Sequence, residues 1–152
     1  MRLIFILCLL LPSLSAFGQI DGKGIFCALE TASDESKKEF YEDTKLNGID
    51  AKLIRMGVFF SEGQFFTKIP VMDNDVIIYI ETDSEEYRVT QNHIIMDESA
   101  YLDRKTLILS DSYLGSVQCE VFDSKFSFEK EAERLLVILQ TAYNNQRVGN
   151  RI

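Results

Sequence analysis

Apolar and polar positions alternate with period two over most of the chain, the rhythm of half-buried β-strands. Near the start, Ile25, Cys27 and Leu29 fall on one face; near residue 120, Val117, Cys119 and Val121 do the same against polar Ser116, Gln118 and Glu120. Between these ends lie short blocks rich in β-branched and aromatic residues, at 52–61, 64–70, 75–81, 85–90, 92–97 and 105–110. Turn chemistry separates them: Glu62-Gly63, Asp73-Asn74, Leu102-Asp103-Arg104 and Asp111-Ser112-Tyr113. With 24–29 and 115–122 this makes eight expected strands, and no helical period interrupts the last seven. The pattern predicts an all-β domain, an antiparallel meander.

Two stretches depart from this rhythm. From Ser127, read as an N-cap, Phe128, Ala132, Leu135, Leu136, Leu139 and Tyr143 recur at helical spacing, with Glu129, Glu131 and Glu133 near the positive end of the helix dipole. A C-terminal helix over 127–144, packed on the sheet, is expected. The segment 30–50 links the first two strands and is dominated by acids, with a short helix expected over 34–43. A connection of that length serves as a functional lid or is mobile.

The chain begins Met1-Arg2, followed by the apolar run Leu3 to Leu11, Pro12, and the small-residue exit Ala16-Phe17-Gly18. This is the order of a secretory signal peptide over 1–18, and the run is too short for a span of ~20 residues. The single domain is then 19–152, exported to the periplasm or beyond. Of the three cysteines, Cys8 leaves with the leader, and Cys27 and Cys119 remain. An oxidising compartment permits them to form a disulfide; two buried free thiols are the other reading. Both sit on apolar faces of the terminal strands. A bridge there is what a meander shows when it closes, fully or partly, into a small barrel, although a two-sheet sandwich also brings such strands together.

Composition narrows the function. The 152 residues carry 24 acids against 16 bases, a formal charge of −8, which speaks against a nucleic-acid surface. His93 is the sole histidine, with no nucleophile-elbow pattern to serve it, and it reads as structural. Glu35, Glu39 and Asp43 would share a helix face, and Asp73-Asn74-Asp75 forms a second group of oxygens. Neither has a recognised calcium-loop signature, so no metal or other cofactor is expected. No Gly-rich phosphate loop, Cys-x-x-Cys pair or zinc-protease motif occurs. Phe59-Phe60 and Phe65-Phe66 flank the Glu62-Gly63 turn. Neighbours on a strand point to opposite faces, so one Phe of each pair is a candidate contact with a partner unless both faces are covered, one of them by the helix.

Three stretches together resemble small, largely uncharacterised exported bacterial β-barrel proteins: Gly22 to Cys27 as Gly-x-Gly-x-x-Cys, Tyr87-Arg88-Val89-Thr90, and Leu102-Asp103-Arg104-Lys105-Thr106-Leu107. That resemblance implies no activity, and it makes Arg104 and Thr106 structural. A weaker likeness is to periplasmic inhibitors of C-type lysozyme, small barrels whose first and last strands can be tied by a disulfide. Cys27 and Cys119 fit that outline, but the family's Ser-Gly-x-x-Tyr and Lys-Gly motifs are missing, with Ser84-Glu85-Glu86-Tyr87 a faint echo. A lipocalin barrel with its C-terminal helix is an analogy of architecture, and its Gly-x-Trp signature cannot occur in a chain without tryptophan.

Three functions are carried forward. The first is a non-enzymatic exported binding protein that contacts another macromolecule, in the manner of an inhibitor. The second is a lipocalin-like carrier of a small apolar ligand held among Ile54, Val58, Ile78 and Ile80. The third is a hydrolase using a pair of carboxylates. An apolar cavity of ~300 Å³ or more favours the carrier, and acids converging in a cleft with raised pKa favour the hydrolase.

Overall fold

The computed structural model describes residues 20–149. The expected leader over 1–18, with Cys8, lies outside them. Ten strands and two α-helices follow in the order β1 (Gly24–Ala28), a 3₁₀ turn (Leu29–Thr31), α1 (Asp34–Thr44), β2 (Arg55–Ser61), β3 (Gln64–Asp73), β4 (Val76–Glu81), β5 (Glu85–Glu86), β6 (Arg88–Val89), β7 (His93–Ile95), β8 (Ala100–Asp103), β9 (Ile108–Asp111), β10 (Gly115–Phe122) and α2 (Lys125–Gly149).

All strand pairs are antiparallel, in the order β4-β3-β2-β1-β10-β9-β8-β7-β6. The first and last strands are neighbours, as the alternation predicts, and the sheet curls into a half-barrel. Its two limbs meet through one short segment. β5 pairs with β3, Gln64 opposite Glu86, while β6 pairs with β7, and Tyr87 alone separates β5 from β6. Tyr87 is buried there, edge-on to Phe60, with its hydroxyl donating to Asp21.

The structure has two strands more than the pattern showed. The block 85–90 breaks at Tyr87 because its halves serve different neighbours. A further strand, β8, precedes the Asp103 turn, where the Asp103 carboxylate accepts from the N–H groups of Lys105 and Thr106 at 2.9 and 2.8 Å. Both tight hairpins form where expected. Glu62 and Gly63 both have positive φ (53° and 76°), as do Asn74 and Asp75 (48° and 67°), the geometry of a two-residue turn whose twist matches the strands it joins.

The inner face of the curl is the main core: Ile25, Cys27, Val58, Phe60, Phe65, Leu102, Leu109, Val117 and Cys119 are buried there. The outer face of β1 and β2 is buried as well, because α2 lies across it. Phe26, Phe59, Phe128, Ala132 and Leu135 form that second core. Phe26 stacks on Phe128 with ring centroids 4.6 Å apart. Gly57 makes room for the Phe128 ring: a Cβ there would lie 2.8 Å from Phe128 Cζ and from Phe26 Cε1.

α2 differs from the expected 127–144 at both ends. Its start is set by Ser124: Ser124 Oγ accepts from the Ser127 N–H at 3.1 Å, and Ser127 Oγ accepts from the Ser124 N–H at 3.2 Å. That reciprocal pair is a capping box with Ser127 as its inner member rather than the cap. The far end continues to Gly149 because the β3–β4 turn holds it. Gln140 Oε1 accepts from the Ile77 N–H at 2.8 Å, Tyr143 donates to Asp75 at 2.6 Å, and Arg147 lies 2.8 Å from the same carboxylate. Together these groups hold Asp75 below the ordinary carboxylate range, the Tyr143 hydrogen bond contributing most. Nearer its start, Lys68 Nζ lies 2.9 Å from Glu81 and 3.0 Å from Glu129, tying α2 to β3 and β4.

Candidate functional site

The cysteines at the heart of the curl are joined. Cys27 and Cys119 stand directly opposite each other in the β1–β10 register and form a disulfide, with Cα atoms 3.9 Å apart. Cys27 faces a cavity of about 310 Å³ bounded by the barrel wall and α1.

Eight segments supply its lining, β1 through Cys27. β2 contributes Met56 and Val58, and β3 contributes Phe65, Thr67 and Ile69; Ala100 on β8 and Leu109 on β9 face them. Met96 comes from the β7–β8 link and Leu114 from the β9–β10 turn. α1 closes one side with Phe40, Asp43 and Thr44. The helix forms here because Ser33 caps it, its Oγ accepting from the Ser36 N–H at 3.1 Å, and because Phe40 is an apolar anchor among charged residues. Lys45 ends it in the left-handed conformation (φ 59°). The following loop is pinned by buried Leu46, Ile49 and Ile54, and Tyr41 donates to the Ile49 carbonyl at 2.6 Å. The acidic segment is thus a structured cover with a mostly charged outer face.

The polar side chains of the lining are three carboxylates and the hydroxyls of Thr44, Thr67 and Tyr113. Asp43, Asp97 and Asp111 line the cavity and no Lys, Arg or His does among the described residues. Asp43 Oδ2 accepts from the Tyr113 hydroxyl at 3.1 Å. Asp111 Oδ1 accepts from the N–H groups of Tyr113 and Leu114, both at 2.8 Å. Asp97 Oδ1 accepts from the N–H and hydroxyl of Ser99 at 2.5 and 2.8 Å. Burial raises the Asp97 pKa, but the Ser99 and Ala100 bonds outweigh it and leave the carboxyl below its ordinary range. Tyr113 moves the other way. Burial, then the hydrogen bond to Asp43, push its phenol up to about 12. None of the three carboxylates has an ion-pair partner among the described residues.

The residues singled out from the sequence land in different places. Phe59 lies beneath α2, and Phe60 and Phe65 lie inside the barrel; all three are buried, and Phe66 is half-buried. The contact patch expected of Phe59, Phe60, Phe65 and Phe66 is therefore not presented by the first three, because helix and barrel cover the two faces. Of the four residues expected to hold an apolar ligand, Val58 lines the cavity and Ile54 is buried beside the α1 loop. Ile78 and Ile80 are 38% and 43% exposed. They share the inward-facing side of the sheet, but β4 lies beyond the point where β5 takes over the pairing with β3. Together with Val76 they form an apolar strip on a terminal strand that has β3 alone beside it.

His93 is half-buried on β7, edge-on to Tyr101 and 3.8 Å from Asp103, and it does not line the cavity. Glu35 and Glu39 lie on the outside of α1, and Asp73 and Asp75 at the distant β3–β4 turn. No group of three or more potential metal ligands converges among the described residues. Every carboxylate there with a resolved pKa shift (Asp75, Asp97, Asp103) is shifted down, opposite to what a general acid requires. Also among the described residues, no helix is long and apolar enough to cross a membrane. The residues sequence reasoning missed are Asp97, Asp111 and Tyr113, whose signal was of turn residues only. No family model matches the chain, and neither does any curated protein or solved structure.

Proposed function

We propose that the protein is an exported binding protein that holds a small apolar ligand in the cavity between the barrel and α1. The observation that carries this reading is the cavity itself. Its 310 Å³ lies just inside the ~300–1,000 Å³ range of small-molecule sites. It is about twice the ~150 Å³ cavity that takes up benzene, room for roughly a dozen non-hydrogen atoms. Its walls are mainly Phe, Met, Val, Ile and Leu, with a few polar groups among them. A disulfide between buried β-strands suits an oxidising compartment, which agrees with the leader-like start. The resemblance to small exported barrel proteins agrees with both points.

The test uses 1-aminonaphthalene, a small dye that fits this volume, is uncharged at neutral pH and changes its fluorescence in apolar surroundings, with the disulfide-bonded chain, which has no tryptophan to interfere. Saturable binding at one site per chain is expected, and Ala100→Leu, which fills the cavity, should weaken it at least tenfold. Absence of saturable binding to the native protein rejects the reading.

A second reading, contact with another macromolecule, is favoured by the uncovered strip of Val76, Ile78 and Ile80 on β4. For its inhibitor form, a turnover assay of C-type lysozyme with excess protein is decisive. Reduced turnover restored by Ile78→Lys supports it, and undiminished turnover removes it.

A further inference from the structure

We propose that the cavity selects amphiphiles with a cationic head group, a long-chain amine or alkylammonium, and rejects fatty-acid anions of the same length. This rests on the binding reading above and adds to it the sign of the ligand.

Asp43 and Asp97 are exposed and Asp111 is partly exposed, which puts these acids at the open side of the cavity. Three carboxylates line an otherwise apolar cavity, and none is neutralised by a base among the described residues. Lysines do lie on α1 close by, but they serve other acids. Lys37 lies 3.8 Å from Asp34, and Lys38 lies 3.9 Å from Glu42. Asp43 and Asp111 each commit one oxygen to the protein, Oδ2 to the Tyr113 hydroxyl and Oδ1 to two backbone N–H groups. Their other oxygens have no hydrogen-bond partner among the described residues. A carboxylate accepts and cannot donate while ionised. Solvent can satisfy these oxygens while the cavity is empty; a head group that displaces it must bring protons, and an ammonium brings both protons and the opposite charge.

Sign also follows from the dielectric. A charged head at the edge of an apolar cavity is only partly hydrated, so the nearby charges act on it more strongly than they would in water. An anionic head would meet three like charges there, and the net charge of −8 repels it at longer range. An alcohol could donate one hydrogen bond and would fall between the two. The apolar residues opposite, Phe65, Ile69 and Leu109, take the chain.

Displacement of the bound dye tests this at neutral pH, with dodecylamine, dodecanol and dodecanoate compared below their micelle-forming concentrations. The amine should displace dye at least tenfold more effectively than the carboxylate, with the alcohol between them. Asp43→Asn and Asp111→Asn keep the hydrogen bonds made inside the protein and should narrow the gap between amine and carboxylate several-fold. Added salt should weaken the amine and leave the alcohol unaffected. Equal displacement by amine and carboxylate, a preference for the carboxylate, or a gap that survives both substitutions overturns the inference while the dye result still stands for the binding reading. Failure of the dye itself to bind overturns both.

Discussion

Tyr113, in the β9–β10 turn, donates its hydroxyl to Asp43, in the last turn of α1, at 3.1 Å. The bond spans 70 residues of sequence and fastens the helical cover to the barrel at the cavity wall. The same carboxylate that holds the cover down also offers its second oxygen to the cavity, so the strength of the latch and the chemistry of the site are linked.

Tyr113→Phe removes the latch with little change in volume. The phenol is held above its ordinary value of 10.0, at about 12 in the fold. Its stabilising contribution is therefore fully present below pH 10 and is lost as the pH rises through about 12. Tyr41, Tyr79, Tyr87 and Tyr143 are raised as well, so phenolate absorbance on alkaline titration should show one fewer late-ionising tyrosine in the variant than in the native protein. Amide exchange within α1 should quicken several-fold in the variant at neutral pH. Exchange unchanged from the native protein would show that buried Phe40 and Leu46 hold the cover without help.

The disulfide closes a loop with a sequence separation of 92 residues. The chain-entropy model assigns about 4–5 kcal/mol to a loop of that length. Cys27→Ala with Cys119→Ala, or reduction of the native protein, should lower the denaturant midpoint by a corresponding amount. Dye binding should weaken too, because Cys27 lies in the cavity wall. A midpoint insensitive to reductant would show that the β1–β10 ladder holds the seam alone.

Gly57 and Phe128 are a matched pair. Gly57→Ala places a methyl group within 2.8 Å of the Phe128 ring and should cost about 1–3 kcal/mol through overpacking. Phe128→Leu alone leaves a void. Combined, the two changes should cost less than their sum, and urea unfolding of the four proteins measures the difference. Strict additivity would mean that the two residues do not interact.

Asp75 anchors the end of α2 through Tyr143 and Arg147, and its carboxyl lies below the ordinary 3.8. A depressed carboxylate contributes stability that is present above pH 3.8 and fades as the pH falls through its lower native value. Asp75→Asn should leave the global midpoint nearly unchanged at neutral pH, while amide exchange over 141–149 accelerates. The native protein should show the same local loosening in acid.

Much of this architecture can be read from alternation. Cys27 and Cys119 each sit among inward-facing apolar residues on terminal strands, a placement that suggests a bridge but leaves two buried free thiols open; the structure joins them. Phe59-Phe60 shows where alternation stops being informative. The pattern leaves open whether such a pair meets a partner or is covered on both faces, one of them by the helix, and Gly57 as the shelf for Phe128 becomes visible only once the helix is laid across the sheet. Ile78 and Ile80 have the alternation of barrel interior, yet they stay exposed because the short β5 segment turns the barrel away from β4. The cavity is the least legible feature. Its lining comes from eight segments, and Asp43, Asp97 and Asp111 each look like an ordinary helix-end, strand-end or turn residue until the fold brings them to one hollow.

The seam between β1 and β10 has a consequence for how the molecule is made. The strand that pairs with the far side of β1 is the last of the ten, so a chain emerging from its N-terminal end carries an unpaired β1 edge until residue 122 has appeared. Non-local closure of this kind is slow and leaves sheet edges open to other chains. The protein therefore passes through its most vulnerable state before it gains either its covalent lock or its cavity, and any helper that shields β1 during that interval would set its yield.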